Sequence, residues 1–161
     1  MREARVIRVG MGEGVVERDA QAVLVAGGLG SCVAVVLHSP RPLVGAMAHV
    51  MLPQAFGLNA VPFKFADTAV PALLESFRQA GGDPAFAVVW IVGGAGMFGI
   101  APGNVLNLGA RNVEAVREAL HRQGLRPHAE DVGGSVSRTV SLHVGTGRLV
   151  VRTAGGAERE L

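Results

Sequence analysis

The chain is poor in cysteine, lysine and aromatic residues: 161 residues carry one cysteine, Cys32, one lysine, Lys64, and 4% aromatics. A single cysteine excludes an internal disulfide and a multi-cysteine zinc site. It also fits a reducing compartment. The basic residues are nearly all arginine, they are scattered, and no aromatics interleave with them, so nucleic-acid binding has little support. The net charge is only +2. No apolar stretch approaches the length of a membrane span. The opening MREARVIRVGMGEG lacks the apolar core of a signal peptide. These absences lead us to expect a soluble, cytoplasmic protein.

What is present is small and apolar. A hydrophobic share of 49% against 17% charged residues describes a chain that buries a core. With few aromatics, that core falls to Val, Leu, Ala and Met. The 23 glycines imply many tight turns and close backbone approaches. The length suits one domain over 1–161, with 154–161 expected as a flexible tail.

Short apolar segments at 5–9 and 15–16 precede an expected strand over 21–26, which runs into the turn Gly27-Gly28-Leu29-Gly30. Periodicity leaves 32–37 open between a buried strand and the first turns of a helix, and its valines favour the strand. The two prolines of His38-Ser39-Pro40-Arg41-Pro42 mark a turn. A strand over 43–51 then completes a hairpin with 33–37. Helical spacing covers 64–80, with Phe65, Ala69, Leu73 and Phe77 on one stripe. Pro71 means that this helix either kinks there or starts just before it. Residues 85–92 read as a strand covered on both faces, followed by Gly93-Gly94-Ala95-Gly96 and an irregular loop over 97–107. A second helix is expected over 112–123, then an extended segment over 126–132. Alternation over 139–144 and the turn Gly145-Thr146-Gly147 predict a hairpin into 148–153. Strands at both ends around two helices, with no βαβ alternation, point to an α+β layered domain with mixed sheets.

The candidate chemistry lies in 27–53, GGLGSCVAVVLHSPRPLVGAMAHVMLP. Cys32 closes a glycine turn, and His49 follows 17 positions later in the next apolar run. Taken singly, each reads as a buried structural residue. Paired across a hairpin, they fall near the same end of adjacent strands, as a nucleophile and its base. Glycines 27, 28 and 30 expose backbone N–H groups, which lower a thiol pKa and can form an oxyanion hole. His38, His121, His128 and His143 have no metal-ligand spacing and read as surface residues. The Gly93–Gly96 turn lacks the helix that a nucleotide fingerprint needs. It reads instead as a close structural approach to the Cys32 turn. Asp131-Val132-Gly133-Gly134 reads as a turn, with Asp131 a candidate support for the site.

The stretch GLGSCVAVVL…GAMAHVMLP resembles the signature of the CheD family, the chemoreceptor glutamine deamidases. The resemblance continues through FADTAVPALL, VGGAGMF, LGARNVEAVREAL, AEDVGGSVSRTV and TGRLVVR, in order over nearly the whole chain. It implies a layered α+β fold related to the glutamine-deamidating toxin cysteine hydrolases. It also implies a cysteine hydrolase that converts receptor glutamines to glutamates and hydrolyses glutamyl methyl esters, without metal or organic cofactor. Cys32 would be the nucleophile, His49 the base, and the turn at Gly30 and Ser31 the oxyanion support. Methyl-accepting chemoreceptors would be the substrate and a CheC-type phosphatase a partner. A non-enzymatic adaptor for that phosphatase is the alternative.

The chain departs from the family pattern at several places. Ala26 stands where the family has a threonine that helps position the histidine. That leaves the third member of the triad open, with a neighbouring backbone carbonyl as one substitute. Trp90 and Val92 stand where a lysine and an aromatic are usual, and Ser137 replaces a glycine. These changes bear on the choice of substrate or partner.

Overall fold

The computed structural model describes residues 3–57, 61–96 and 107–161. Its strands are β1 (Arg5–Arg8), β2 (Gly14–Glu17), β3 (Ala22–Leu29), β4 (Val33–Pro40), β5 (Leu43–Val50), β6 (Val88–Gly93), β7 (Ala129–Val132), β8 (Arg138–His143), β9 (Arg148–Thr153) and β10 (Glu158–Glu160). The helices are α1 (Ala66–Gln79) and α2 (Leu108–Arg122). The class is α+β, as the pattern predicts.

The strands form two sheets, in the orders β1-β3-β8-β9-β10 and β2-β5-β4-β6-β7. Both are mixed, because β1 pairs parallel to β3, and β6 parallel to β7, within otherwise antiparallel ladders. The second sheet lies between the helices and the first sheet, and its alternation serves both sides. Val33, Val35, Ala46, Ala48 and Val50 pack toward Leu73, Phe77, Val116 and Leu120 of the helices. Ala34, Val36, Met47 and Val92 pack toward Leu24, Ala26, Val140 and Leu142 of the first sheet. β4 is buried from Val33 to Ser39. Both of its faces are apolar, so the sequence carries no polar alternation to distinguish strand from helix.

Four expectations are revised. The proline turn is only Arg41-Pro42; β4 continues to Pro40, with His38 and Ser39 buried inside it. Pro40 is tolerated because the β4–β6 ladder ends at His38, so the strand is paired on one side only there, as an edge strand is. α1 starts at Ala66 and runs through Pro71. That proline deprives only the carbonyl of Asp67, four residues earlier, on an exposed face. α2 begins at Leu108 rather than 112, because the Asn107 side chain accepts from the Ala110 N–H and caps it. The segment expected as a flexible tail carries β10 along β9, and the Leu161 N–H donates to the Leu149 carbonyl. The irregular loop expected over 97–107 lies, except for Asn107, outside the described residues.

Candidate functional site

The expected hairpin forms between β4 and β5. Val33 faces Val50 and Ala34 faces His49, so Cys32, two residues before Ala34, is a diagonal neighbour of His49. Both side chains belong to the sheet face turned toward the first sheet, and Cys32 packs against the core cluster between the sheets. Diagonal neighbours lie about 7–8 Å apart, a gap that long side chains span. The ladder thus brings the nucleophile and base candidates to the same end of the same face.

His49 is 2% exposed. Its Nδ1 lies 3.0 Å from the Val9 carbonyl oxygen. A carbonyl can only accept, so Nδ1 carries the proton of the neutral ring and Nε2 keeps its lone pair. Nε2 is buried, and among the described residues it has no hydrogen-bond partner. Buried polar atoms without partners are rare, and an orphaned imidazole nitrogen is the form a general base needs. The chain around the ring is equally held. The Gly12 N–H donates to the His49 carbonyl, the His49 N–H to the Glu13 carbonyl, and the Val9 N–H to the Val25 carbonyl.

Ala26, at the threonine position, is fully buried and has no hydroxyl to offer. The acceptor that the His49 ring does have is the Val9 carbonyl, from the backbone of the segment after β1. That carbonyl is 40 residues from His49 in sequence, and every residue has one, so no side-chain pattern signals it.

Cys32 is half-buried, and burial pushes its thiol pKa up. This corrects the expectation that the glycine turn lowers it. The turn itself is built from a break in the β3–β8 register between Ala26 and Leu29, where Gly28 takes a φ of +61°. The Gly30 N–H is engaged by the Gly28 carbonyl at 2.9 Å. No turn or loop hydrogen bond among the described residues uses the N–H of Ser31 or Cys32. These two N–H groups belong to the nucleophile candidate and to the residue before it.

The Gly93 turn approaches the Cys32 turn directly. The Gly94 N–H donates to the Cys32 carbonyl, and the Ala95 N–H to the Gly30 carbonyl, each at 2.8 Å. Gly93 has a φ of +116°, and a Cβ there would lie 2.3 Å from the Cys32 oxygen, so only glycine fits. Behind it, Arg138 Nε donates to Asp131 Oδ1 at 3.0 Å, and Arg159 Nε to Asp131 Oδ2 at 3.1 Å. Arg138 Nη1 also reaches the Gly93 carbonyl at 3.5 Å. Asp131 lies in β7 rather than in a turn, and Arg138 links it to the Gly93 carbonyl.

Two residues escaped the sequence reading. Asn112, fully buried in α2, donates its side-chain amide to the carbonyls of Ser31 and Met51, each at 2.9 Å. An asparagine inside a helical pattern gives no hint of partners 81 and 61 residues away. His38 is buried rather than at the surface, and its Nε2 lies 2.7 Å from the Val144 carbonyl oxygen. His121 and His128 are exposed, and His143 is half-buried. Trp90 and Val92 are buried between the sheets, so these departures change packing rather than a surface. Among the described residues, no three His, Cys, Asp or Glu side chains gather into a group that would hold a metal.

Comparison with known proteins identifies the family of the chain. The family model described as CheD chemotactic sensory transduction matches residues 51–153. The chemoreceptor glutamine deamidase CheD of Thermotoga maritima is 45% identical over 151 residues, 94% of this chain and 94% of its own length. A probable chemoreceptor glutamine deamidase CheD of Symbiobacterium thermophilum is 44% identical over 165 aligned positions spanning both chains in full. Among solved structures, the hypothetical protein YfiH of Bacillus licheniformis aligns over 84% of this chain and 61% of its own, at a TM-score of 0.49 and 14% identity. With the family model covering most of the chain and relatives this similar along its whole length, the chain belongs to the CheD family.

Proposed function

We propose that this protein is a chemoreceptor glutamine deamidase, a cysteine hydrolase that turns receptor glutamine side chains into glutamates. The observation that carries the reading is the buried, unpartnered Nε2 of His49, its ring held by the Val9 carbonyl, on the sheet face that Cys32 also joins. The names of the relatives supply the substrate class.

The chemistry follows from the atoms present. Burial pushes the Cys32 thiol pKa up and so disfavours a free thiolate. His49 Nε2 therefore takes the thiol proton as the sulfur attacks the carboxamide carbon. The N–H groups of Ser31 and Cys32 receive the negative charge that develops on the amide oxygen. The imidazolium returns its proton to the leaving nitrogen, ammonia departs, and a thioester remains. Water, deprotonated by the same nitrogen, attacks the thioester, glutamate leaves, and the thiol is restored. The Val9 carbonyl stabilises the Nδ1–H throughout, which is the orienting role of a third triad member.

A glutamyl methyl ester would pass through the same thioester, with methanol leaving in place of ammonia. The enzyme would work in the cytoplasm on receptor helices, where each conversion adds one negative charge. No helix among the described residues is long and apolar enough to cross a membrane. A CheC-type phosphatase seated over the site completes the proposal as a partner that limits substrate access.

The test is ammonia release from cytoplasmic receptor fragments. Release with the wild type and none with Cys32→Ala supports the reading. Equal release from both, or none from either, ends it. Binding of the phosphatase by a protein that releases no ammonia would point to the adaptor instead.

A further inference from the structure

We infer that Asn112 is a positioning residue, whose side-chain amide sets the spacing of Cys32 and His49 by joining the carbonyls of Ser31 and Met51. The inference rests on the roles just proposed for Cys32 and His49. Ser31 immediately precedes the nucleophile, and Met51 lies two residues beyond the base. The β4–β5 pairing ends at Val33 and Val50. Beyond it the chain of β5 turns away, and the N–H groups of Met51 and Leu52 go to the Lys64 carbonyl. That departure leaves the Ser31 and Met51 carbonyls side by side without a ladder partner.

Asn112 Nδ2 meets both at 2.9 Å, as one more rung supplied by a side chain. Two acceptors on one side fix which end of the amide is nitrogen. Oδ1 is buried without a partner among the described residues. Asparagine is thus kept here although half of its hydrogen-bonding capacity goes unused. The rung is also anchored. A Cβ on Gly109 would lie 2.2 Å from the Ala95 oxygen, so the start of α2 is pressed against the segment that binds the Gly30 and Cys32 carbonyls. Loss of the two amide donors frees the Cys32 turn from the end of β5 while the rest of α2 stays packed.

The experiment compares wild type, Asn112→Ser, Asn112→Ala and Val116→Ala in the full chain. Val116 is fully buried one turn further along α2 and has no side-chain donor for either carbonyl, so it controls for lost stability. Three quantities are read: turnover on a receptor fragment, the thermal midpoint, and the pH dependence of Cys32 alkylation by iodoacetamide. A misplacement of about 1 Å costs on the order of 100-fold in rate. Asn112→Ala is expected to lose about that much kcat, with Asn112→Ser, which keeps one donor, in between. Val116→Ala keeps its kcat despite a lowered thermal midpoint.

The alkylation midpoint is expected to fall toward that of an ordinary thiol in the Asn112 variants, because the freed turn exposes the sulfur, and to stay put in Val116→Ala. The inference is overturned if kcat in the Asn112 variants merely follows thermal stability along the line set by Val116→Ala, or if their alkylation midpoint does not move. If Asn112→Ala does not fold, Asn112→Ser decides. If wild type releases nothing from receptor fragments, the proposed function fails, and the alkylation comparison alone decides the role of Asn112.

Discussion

His49 donates its Nδ1–H to the Val9 carbonyl at 3.0 Å, so a backbone oxygen sets which ring nitrogen carries the proton. A carbonyl has no tautomers and no rotamers. It is held by the Val9 N–H bond to Val25, and it commits the neutral imidazole to one tautomer.

The first prediction follows from that commitment. Ala26→Thr places a hydroxyl at a fully buried position between the sheets. Because Nδ1 already has its acceptor, kcat is expected not to rise. Forcing extra atoms into a packed core costs about 1–3 kcal/mol, and each kcal/mol lowers the thermal midpoint by about 2–4 °C in a chain of this size. Thermal denaturation and steady-state kinetics on the same variant check both halves.

Removing the base gives the second. His49→Ala should lower kcat by about 100- to 10,000-fold, the usual range for a general acid–base group. Cys32 remains present and accessible to alkylation. An unchanged kcat would show that Nε2 is idle.

A third prediction concerns pH. Burial raises the Cys32 thiol pKa in the folded state. Its alkylation by iodoacetamide should therefore accelerate through a midpoint above that of the unfolded chain in the same buffer. The sign for stability is also set. A thiol with a raised folded pKa favours the native state below the unfolded pKa, and that contribution is lost as pH rises through the folded pKa. Denaturation of wild type against Cys32→Ala across the alkaline range should reveal the difference.

The support behind the Gly93 turn gives a contrast between two arginines on one carboxylate. Arg138 and Asp131 have side chains only 9% and 15% exposed, whereas the Arg159 side chain is 61% exposed. Asp131→Ala strands the Arg138 charge and should cost about 3–5 kcal/mol. Arg159→Ala should cost at most about 1 kcal/mol, the usual ceiling for an exposed pair. Chemical denaturation of the two variants separates them.

Much of this arrangement was legible in the residues. Cys32 and His49 lie in consecutive apolar runs joined by a proline turn, and a hairpin makes such runs neighbours. The glycines at 93 and 94 read as a close approach because no helix follows them, and they meet the Cys32 turn. What escaped has a common physical cause. The Val9 carbonyl, the Asn112 amide and the burial of His38 each depend on contacts between segments distant in sequence. In each case the chemical group is a backbone oxygen, or a polar side chain that local pattern assigns to solvent. The longer N-terminal end of α2 has a different cause. Gly109 is a poor helix former, yet the Ala95 oxygen lies where its Cβ would be, so packing overrides propensity.

The most direct measurement is peptide mapping by mass spectrometry of a receptor cytoplasmic fragment incubated with wild type, Cys32→Ala and His49→Ala. The account expects a gain of about one dalton, –OH in place of –NH2, at particular glutamines with wild type, none with Cys32→Ala, and a strongly slowed gain with His49→Ala. The same gain with Cys32→Ala as with wild type would contradict it.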